Sequence, residues 1–176
     1  MLTRGVNDYV FGLINATNVT LSADTPNSKA TVAGLYAIAS DNDIPVDRCV
    51  VALKPTQFAN VLSYLDFNVY GGTEAIRLGV IEGLYGFKGF VCAPNLPDGT
   101  NGAIICDSAV GVASRYLFPG TEGAYPEAWS ATDETNGFTI GYRRFMDLCT
   151  GSNKFAADVL FGAKLLQPSK IIRLVG

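Results

Sequence analysis

Three glycines at a spacing of three residues are the feature of the sequence that most constrains the fold. Gly83, Gly86 and Gly89 lie in the segment GVIEGLYGFKGFVCAPNLP, from Gly79 to Pro97, where they separate short β-branched and aromatic stretches. Glycine adopts φ > 0 without steric cost and lets a backbone approach its neighbour closely. The spacing therefore predicts a tight β-hairpin, and no catalytic side chain lies in it.

The first half of the chain has the periodicity of alternating helices and strands. Apolar residues at spacings of three and four predict a helix that begins at the first residues and reaches Leu13. Asn27 or Ser28 is placed to cap a second helix. The all-apolar segment from Cys49 to Leu53 is typical of a strand covered on both faces, and Pro55 favours the first turn of a third helix.

A long period-two alternation dominates the second half. A strand from Ala103 to Cys106 and a helix from Asp107 to Tyr116 are predicted before it, and a last strand from Ile171 to Val175 after it. The alternation itself predicts two antiparallel strands, 138–148 and 154–165, each about 40 Å long at about 3.3 Å per residue. Because a two-stranded ribbon is marginal alone in water, a helix of the chain or a neighbouring subunit is expected to cover its apolar face.

The composition removes most enzymatic chemistry. The sequence has no histidine, so no Ser-His-Asp or Cys-His arrangement can form within one chain. Lys and Arg number 13 against 16 Asp and Glu, and this net charge of -3 disfavours a protein built to grip a phosphate backbone. Charged residues are 16% of the chain, below the roughly 25% of an average domain, which favours burial of surface by partners or a larger core.

No cofactor, metal or nucleotide site is predicted. The glycine-spaced segment lacks the Gly-Lys-Ser/Thr sequence that would complete a phosphate loop. Asp41, Asp43 and Asp47 lack the accompanying glycine and glutamate of a calcium loop. No run approaches 18 uncharged apolar residues, so no membrane span is expected. The cysteines form no C-x-x-C pair and are expected to be small buried hydrophobes in a reducing compartment rather than a disulfide framework: Cys49, Cys92, Cys106 and Cys149.

Aromatic and arginine side chains near the alternating region are the candidates for a subunit interface. Arg143 and Arg144 are adjacent, so they point to opposite faces of a strand, and Arg144 interrupts an apolar row. Arg144 is expected either to pair with a carboxylate, such as Asp147, Asp158 or one from a neighbour, or to lie at a solvated strand edge. Trp129, in a loop-like region, is an interface anchor or a core residue. The candidate set is Trp129, Tyr142, Arg143, Arg144, Phe155 and Phe161.

The order of these segments resembles the major capsid proteins of tailed bacteriophages, which have the Hong Kong 97-like fold. The phrases that carry the resemblance are IPVDRCVVALKPTQFANVL from Ile44 to Leu62, the glycine-spaced hairpin with its NLP exit, AIICDSAVGVA from Ala103 to Ala113, and GAKLLQPSKIIRLV from Gly162 to Val175. The resemblance implies an α+β fold with a mixed sheet, flanking helices and a long β-hairpin. It also implies that the chain corresponds to the C-terminal portion of such a protein and lacks the N-terminal arm and the extended loop.

A division into domains follows from the same resemblance. Residues 1–24 would be the end of the spine helix and a connector of the peripheral domain. Residues 25–118 would form the axial domain, 119–166 the long hairpin of the peripheral domain, and 167–176 the closing strand of the axial domain.

The function implied by the resemblance is structural. The chain would be a non-enzymatic shell subunit that assembles through pentamers and hexamers and encloses double-stranded DNA, in the host cytoplasm during assembly and then in the virion capsid. Its partners would be copies of itself, portal and scaffold proteins, and packaged DNA contacted without sequence reading, with no cofactor and no membrane. Two alternatives stay open: a small cytosolic α/β enzyme or ligand-binding domain with its site near the hairpin and residues 95–102, and an encapsulin-like compartment shell.

Overall fold

A computed structural model of the chain describes residues 2–64, 80–115, 127–134 and 137–176. The chain divides into two compact units: a larger unit of residues 3–111 and 164–176, and a smaller unit of residues 1–2 and 112–163. The described helices are α1 Leu2–Gly12, α2 Lys29–Asp41 and α3 Pro55–Tyr64. The described strands are β1 Ser22–Asp24, β2 Cys49–Leu53, β3 Val80–Glu82, β4 Gly89–Cys92, β5 Gly102–Cys106, β6 Val110–Arg115, β7 Glu127–Thr132, β8 Thr139–Asp147, β9 Ser152–Asp158, β10 Leu160–Leu165 and β11 Ile171–Val175.

A mixed sheet forms the centre of the larger unit. Its described strands follow the order β1-β11-β5-β2-β4-β3. The β1–β11 and β2–β4 pairs are parallel and the others are antiparallel. β2 and β11 are almost entirely buried: β2 is apolar on both faces, and β11 is apolar except for Arg173. The predicted mixed sheet with flanking helices and the predicted strand from Cys49 to Leu53 are therefore confirmed.

The helices of the larger unit begin where the sequence places their start signals. Ser28 is the N-cap of α2: its Oγ accepts a hydrogen bond from the Thr31 backbone N–H at 3.3 Å, and the Thr31 hydroxyl accepts one from the Ser28 N–H at 2.8 Å. Val32, Leu35 and Ala39 of α2 are buried. α3 begins at Pro55, which needs no backbone donor in the first turn.

The glycine-spaced segment is a tight hairpin, as predicted. β3 and β4 pair antiparallel, and a 3₁₀ turn at Leu84–Gly86 connects them. Gly83 and Gly86 have φ of 66° and 80°, a region that side chains with a Cβ rarely adopt. Gly89 is the first residue of β4 and is buried in the sheet. Among the described strands, β3 forms one edge of the sheet and β1 the other, each with three described residues.

Gly102 lies where β5 passes between β2 and β11, with no room for a side chain. A Cβ at this position would lie 2.6 Å from Leu53 Cδ2 and 2.9 Å from the carbonyl oxygen of Ala52. Because a backbone oxygen cannot move aside without disturbing the sheet, we expect Gly102→Ala to lower the free energy of unfolding by roughly 1–3 kcal/mol. Urea unfolding followed by far-ultraviolet circular dichroism measures the change.

Gly34→Ala is the matched control for this prediction. Gly34 lies within α2, and a Cβ there would meet no atom within 4 Å. Alanine is favoured over glycine in a helix interior by roughly 0.5–1 kcal/mol, so this variant should be as stable as the parent chain or more stable. Equal stability of the two alanine variants would contradict the close approach at Gly102.

The segment after β5 is a strand, so the predicted helix from Asp107 to Tyr116 is wrong. Residues 107–109 form a turn closed by a hydrogen bond from Ala109 N to Cys106 O at 3.0 Å, and β6 then pairs with β10. A Cβ on Gly111 would lie 2.9 Å from the side chain of Leu166. Tertiary pairing and this close contact therefore override the helical spacing of the apolar residues.

The long hairpin is present, but its second arm is interrupted. β8 pairs antiparallel with β9 around a turn at residues 148–151, and the arm breaks at Val159 before β10 begins. The more exposed positions are odd-numbered in most of β9, including Phe155, and even-numbered in β10. The alternation predicts a single apolar stripe along residues 154–165. This prediction is wrong, because the break at Val159 reverses which residues face solvent.

The cysteines differ in exposure more than expected. All four are free: Cys49 and Cys106 are buried, as predicted, whereas Cys92 and Cys149 are exposed. Cys49 and Cys106 are direct partners in the β2–β5 ladder. Burial raises the pKa of the Cys49 thiol to about 12, and the facing Cys106 adds to the rise.

Alkylation should distinguish the buried cysteines from the exposed ones. Because the thiolate is the reactive form, we expect iodoacetamide at pH 8 to modify Cys92 and Cys149 in the folded protein and to spare Cys49 and Cys106. Mass spectrometry of the intact chain and of its peptides measures the sites. In urea all four should react, and labelling of Cys49 as fast as Cys92 without urea would contradict the buried ladder position.

Candidate subunit-contact face

A three-stranded antiparallel sheet in the smaller unit carries most of the candidate interface residues. β8 is its middle strand, flanked by β7 and β9. Alternation along β8 places Ile140, Tyr142, Arg144 and Met146 on one side of this sheet. The register adds one aromatic residue from each neighbouring strand, since Trp129 is the direct partner of Tyr142 and Phe155 is the direct partner of Arg144. The aromatic face is the set Trp129, Ile140, Tyr142, Arg144, Met146 and Phe155.

The aromatic rings form a continuous row across the three strands. The Trp129 and Tyr142 ring centroids are 4.3 Å apart at an interplanar angle of 36°. Those of Tyr142 and Phe155 are 5.9 Å apart at 35°. The guanidinium carbon of Arg144 lies 5.8 Å from the centre of the Phe155 ring, within the range of a cation–π contact. These contacts fix the orientation of the rings before any partner arrives.

The aromatic face is open to solvent within its unit. Trp129 is 50% exposed, Phe155 60%, Met146 56% and Ile140 43%. Isolated exposed apolar residues are common on proteins, but neighbouring aromatic and methionine side chains on one side of a sheet are typical of protein contacts. The aromatic face can bury apolar surface against a complementary surface.

The opposite side of the same sheet is charged. Arg143 donates from Nε to Asp158 Oδ1 at 3.1 Å, and its Nη2 lies 3.1 Å from the same oxygen. Lys154 pairs with Asp147, and this hydrogen bond holds the pKa of the Asp147 carboxyl below its usual value. The two sides of the sheet therefore differ: one carries ion pairs, and the other carries a largely apolar row.

The predicted interface residues do not all lie on the same side of this sheet. Trp129, Tyr142, Arg144 and Phe155 lie together on the aromatic face, whereas Arg143 lies on the charged side. Phe161 lies on β10, outside this sheet, and is half-buried.

Two expectations about these residues are wrong. β8 is a middle strand, so Arg144 does not lie at a solvated strand edge. Trp129 lies in strand β7 and not in a loop.

Sequence reasoning missed β7 and therefore the width of the sheet. The segment EAWSAT from Glu127 to Thr132 mixes small, polar and aromatic residues without a clear alternation of apolar and polar. Ile140 and Met146 also belong to the face but were not among the candidates. Their positions in the period-two alternation were the signal that could have identified them.

The described residues contain neither a metal-binding cluster nor a membrane-spanning helix. Among these residues, no group of three or more histidine, cysteine or acidic side chains is placed to hold a metal ion. No described helix is both long and apolar enough to cross a membrane.

Two solved structures are similar to the fold. A chain from Mycobacterium phage Che8 has a TM-score of 0.52 and 17% sequence identity, and the match covers 88% of this chain and 52% of that chain. A chain from the capsid structure of the cyanophage P-SCSP1u has a TM-score of 0.49 and 17% sequence identity. That match covers 88% of this chain and 51% of the cyanophage chain. This chain spans about half the length of each.

At 17% identity the similarity concerns the fold alone. The protein thus has a mixed α/β fold that also forms part of a bacteriophage protein. No protein-family model matches the sequence, and no curated protein matches it.

Proposed function

We propose that this chain is a subunit, or part of one, of the icosahedral shell of a tailed bacteriophage or prophage, with the Hong Kong 97-like fold. The observation that carries the proposal is the match of 88% of the chain to part of a chain from phage Che8. The order of the sequence phrases that resemble major capsid proteins supports it. In this proposal residues 25–118 and 167–176 form the axial domain, and residues 1–24 and 119–166 belong to the peripheral domain.

The aromatic face is the proposed contact between copies. Covering the exposed halves of Trp129 and Phe155 would remove on the order of 100 Å² from water for each ring, since an aromatic side chain presents roughly 150–250 Å². At about 25 cal/mol per Å², each ring would contribute about 2.5 kcal/mol before the costs of association. Such a contact is modest alone and becomes stable through repetition in a closed shell.

The role implies partners and a location. The partners are copies of the chain in pentamers and hexamers, portal and scaffold proteins, and packaged DNA touched without reading of its sequence. The location is the virion, after assembly in the host cytoplasm. The net charge of -3 is consistent with incidental rather than tight contact with DNA. No chemical step is assigned to the chain itself.

Light scattering coupled to size exclusion, with negative-stain images of the same peak, tests the proposal. We expect species larger than a monomer at high protein concentration, and rings of five or six, sheets or closed particles in the images. A strict monomer at every concentration would contradict self-assembly of this chain.

A further inference from the structure

Arg173 is a buried cation in the central sheet of the larger unit. It lies on β11, between Ser22 of β1 and Ala103 of β5, and only 9% of its surface is exposed. It forms no ion pair with a carboxylate anywhere in the described residues. A charge removed from water is unfavourable unless an opposite charge or a full set of hydrogen bonds compensates it.

The hydrogen bonds of Arg173 go to neutral groups and leave one edge of the guanidinium open. Nε and Nη2 donate to the hydroxyl of Thr100 at 3.1 and 2.9 Å, and Nη2 donates to the carbonyl of Gly99 at 3.4 Å. Thr100 is itself fully buried. Nη1 makes none of these bonds, and no buried side-chain nitrogen or oxygen of the described residues lacks a partner. The Nη1 edge is therefore the part of Arg173 that still reaches solvent.

A second cation binds the same turn. Lys54 donates from Nζ to the carbonyl of Pro97 at 3.3 Å, and the same oxygen accepts the Thr100 N–H at 3.1 Å. Lys54 is half-buried and forms no ion pair with the described residues. Asp98, in the same turn, is exposed and pairs with neither cation. Two positive groups therefore hold the turn Pro97–Thr100 through neutral oxygens alone.

We propose that the turn Pro97–Thr100, with Arg173 and Lys54, is an oxyanion-binding site. The ligand is a carboxylate or phosphate group, whose oxygens can accept hydrogen bonds from Nη1 of Arg173 while Lys54 adds a point charge. The group can come from two sources: a small free anion, or an acidic side chain of another copy, since the chain has 16 acidic against 13 basic residues. The proposal is independent of the shell function.

Titration of the full chain with inorganic phosphate tests the site. The Nε–H signal of Arg173, identified by its loss in Arg173→Lys, is followed in nitrogen–proton spectra at constant ionic strength with chloride as the reference. We expect a saturable shift of this signal with phosphate and about a tenfold weaker affinity in Lys54→Gln. Lys88→Gln removes a charge from an exposed lysine of the same unit and should leave the affinity unchanged.

The outcomes separate a binding site from a structural arginine. A shift that does not saturate, or that equals the shift in chloride, would mean that Arg173 only holds the turn and would overturn the proposal. Equal weakening by Lys54→Gln and Lys88→Gln would overturn the assignment of Lys54. If raising the protein concentration without phosphate moves the same signal and weakens phosphate binding, the oxyanion is a carboxylate of another copy; if it does not, the ligand is a small anion.

Discussion

Trp129→Ser is expected to raise the protein concentration needed for self-association at least 30-fold. A factor of about 30 corresponds to about 2 kcal/mol, the lower bound for an aromatic residue at the centre of a contact. Trp129 is half exposed and its ring lies 4.3 Å from Tyr142, so its loss removes contact area and frees the neighbouring ring. Sedimentation velocity over a series of protein concentrations measures the effect.

Tyr36→Ser is the matched control for the aromatic face. Tyr36 is also 50% exposed, but it lies on α2 in the larger unit. Its replacement removes a similar exposed ring and should leave association within about twofold of the parent chain, since residues outside the centre of a contact contribute little. If both serine variants associate equally well, the aromatic face is not the contact between copies.

Phe90→Ala is expected to lower the free energy of unfolding by about 3–5 kcal/mol, the range for removing a buried phenylalanine. Phe90 is fully buried on β4, and its ring meets Phe87 edge to face with centroids 5.7 Å apart. The loss is a large part of the roughly 5–15 kcal/mol that stabilises a typical domain. Urea unfolding followed by far-ultraviolet circular dichroism, below the concentration of association, measures it.

Phe155→Ala makes the same chemical change on an exposed surface. Phe155 is 60% exposed, so its removal should change the free energy of unfolding by less than about 1 kcal/mol. The same variant should weaken association. A stability loss as large as that of Phe90→Ala would show that the Phe155 ring is buried in the free subunit.

Local signals in the sequence were sufficient for several elements of the larger unit. Ser28 and Thr31 lie at the capping positions of α2, and the apolar run from Cys49 to Leu53 became a buried strand. Gly83 and Gly86 supplied the positive φ angles of the hairpin. Each of these features depends on residues close together in the chain, so the spacing alone determines them.

Features that depend on pairing between strands far apart in the sequence could not be predicted from the sequence. Ala109 and Val110 begin a stretch with helical spacing, yet β6 forms because β10 pairs with it. The candidate face was found only in part, since Trp129 reaches Tyr142 through the register of β7 against β8. The isolation of Arg173 from carboxylates also has no local signal, because it results from burial between β1 and β5.

The strands at the two edges of the large sheet, β1 and β3, have three residues each in the described structure. An edge offers rows of unpaired backbone groups to which a strand of another molecule can add, and a short edge offers few of them. In the proposed shell function many copies would share one cell, and strand addition without end at such edges would produce fibres. As described, the two edges offer few backbone groups for this route, so contacts between copies would use side chains instead.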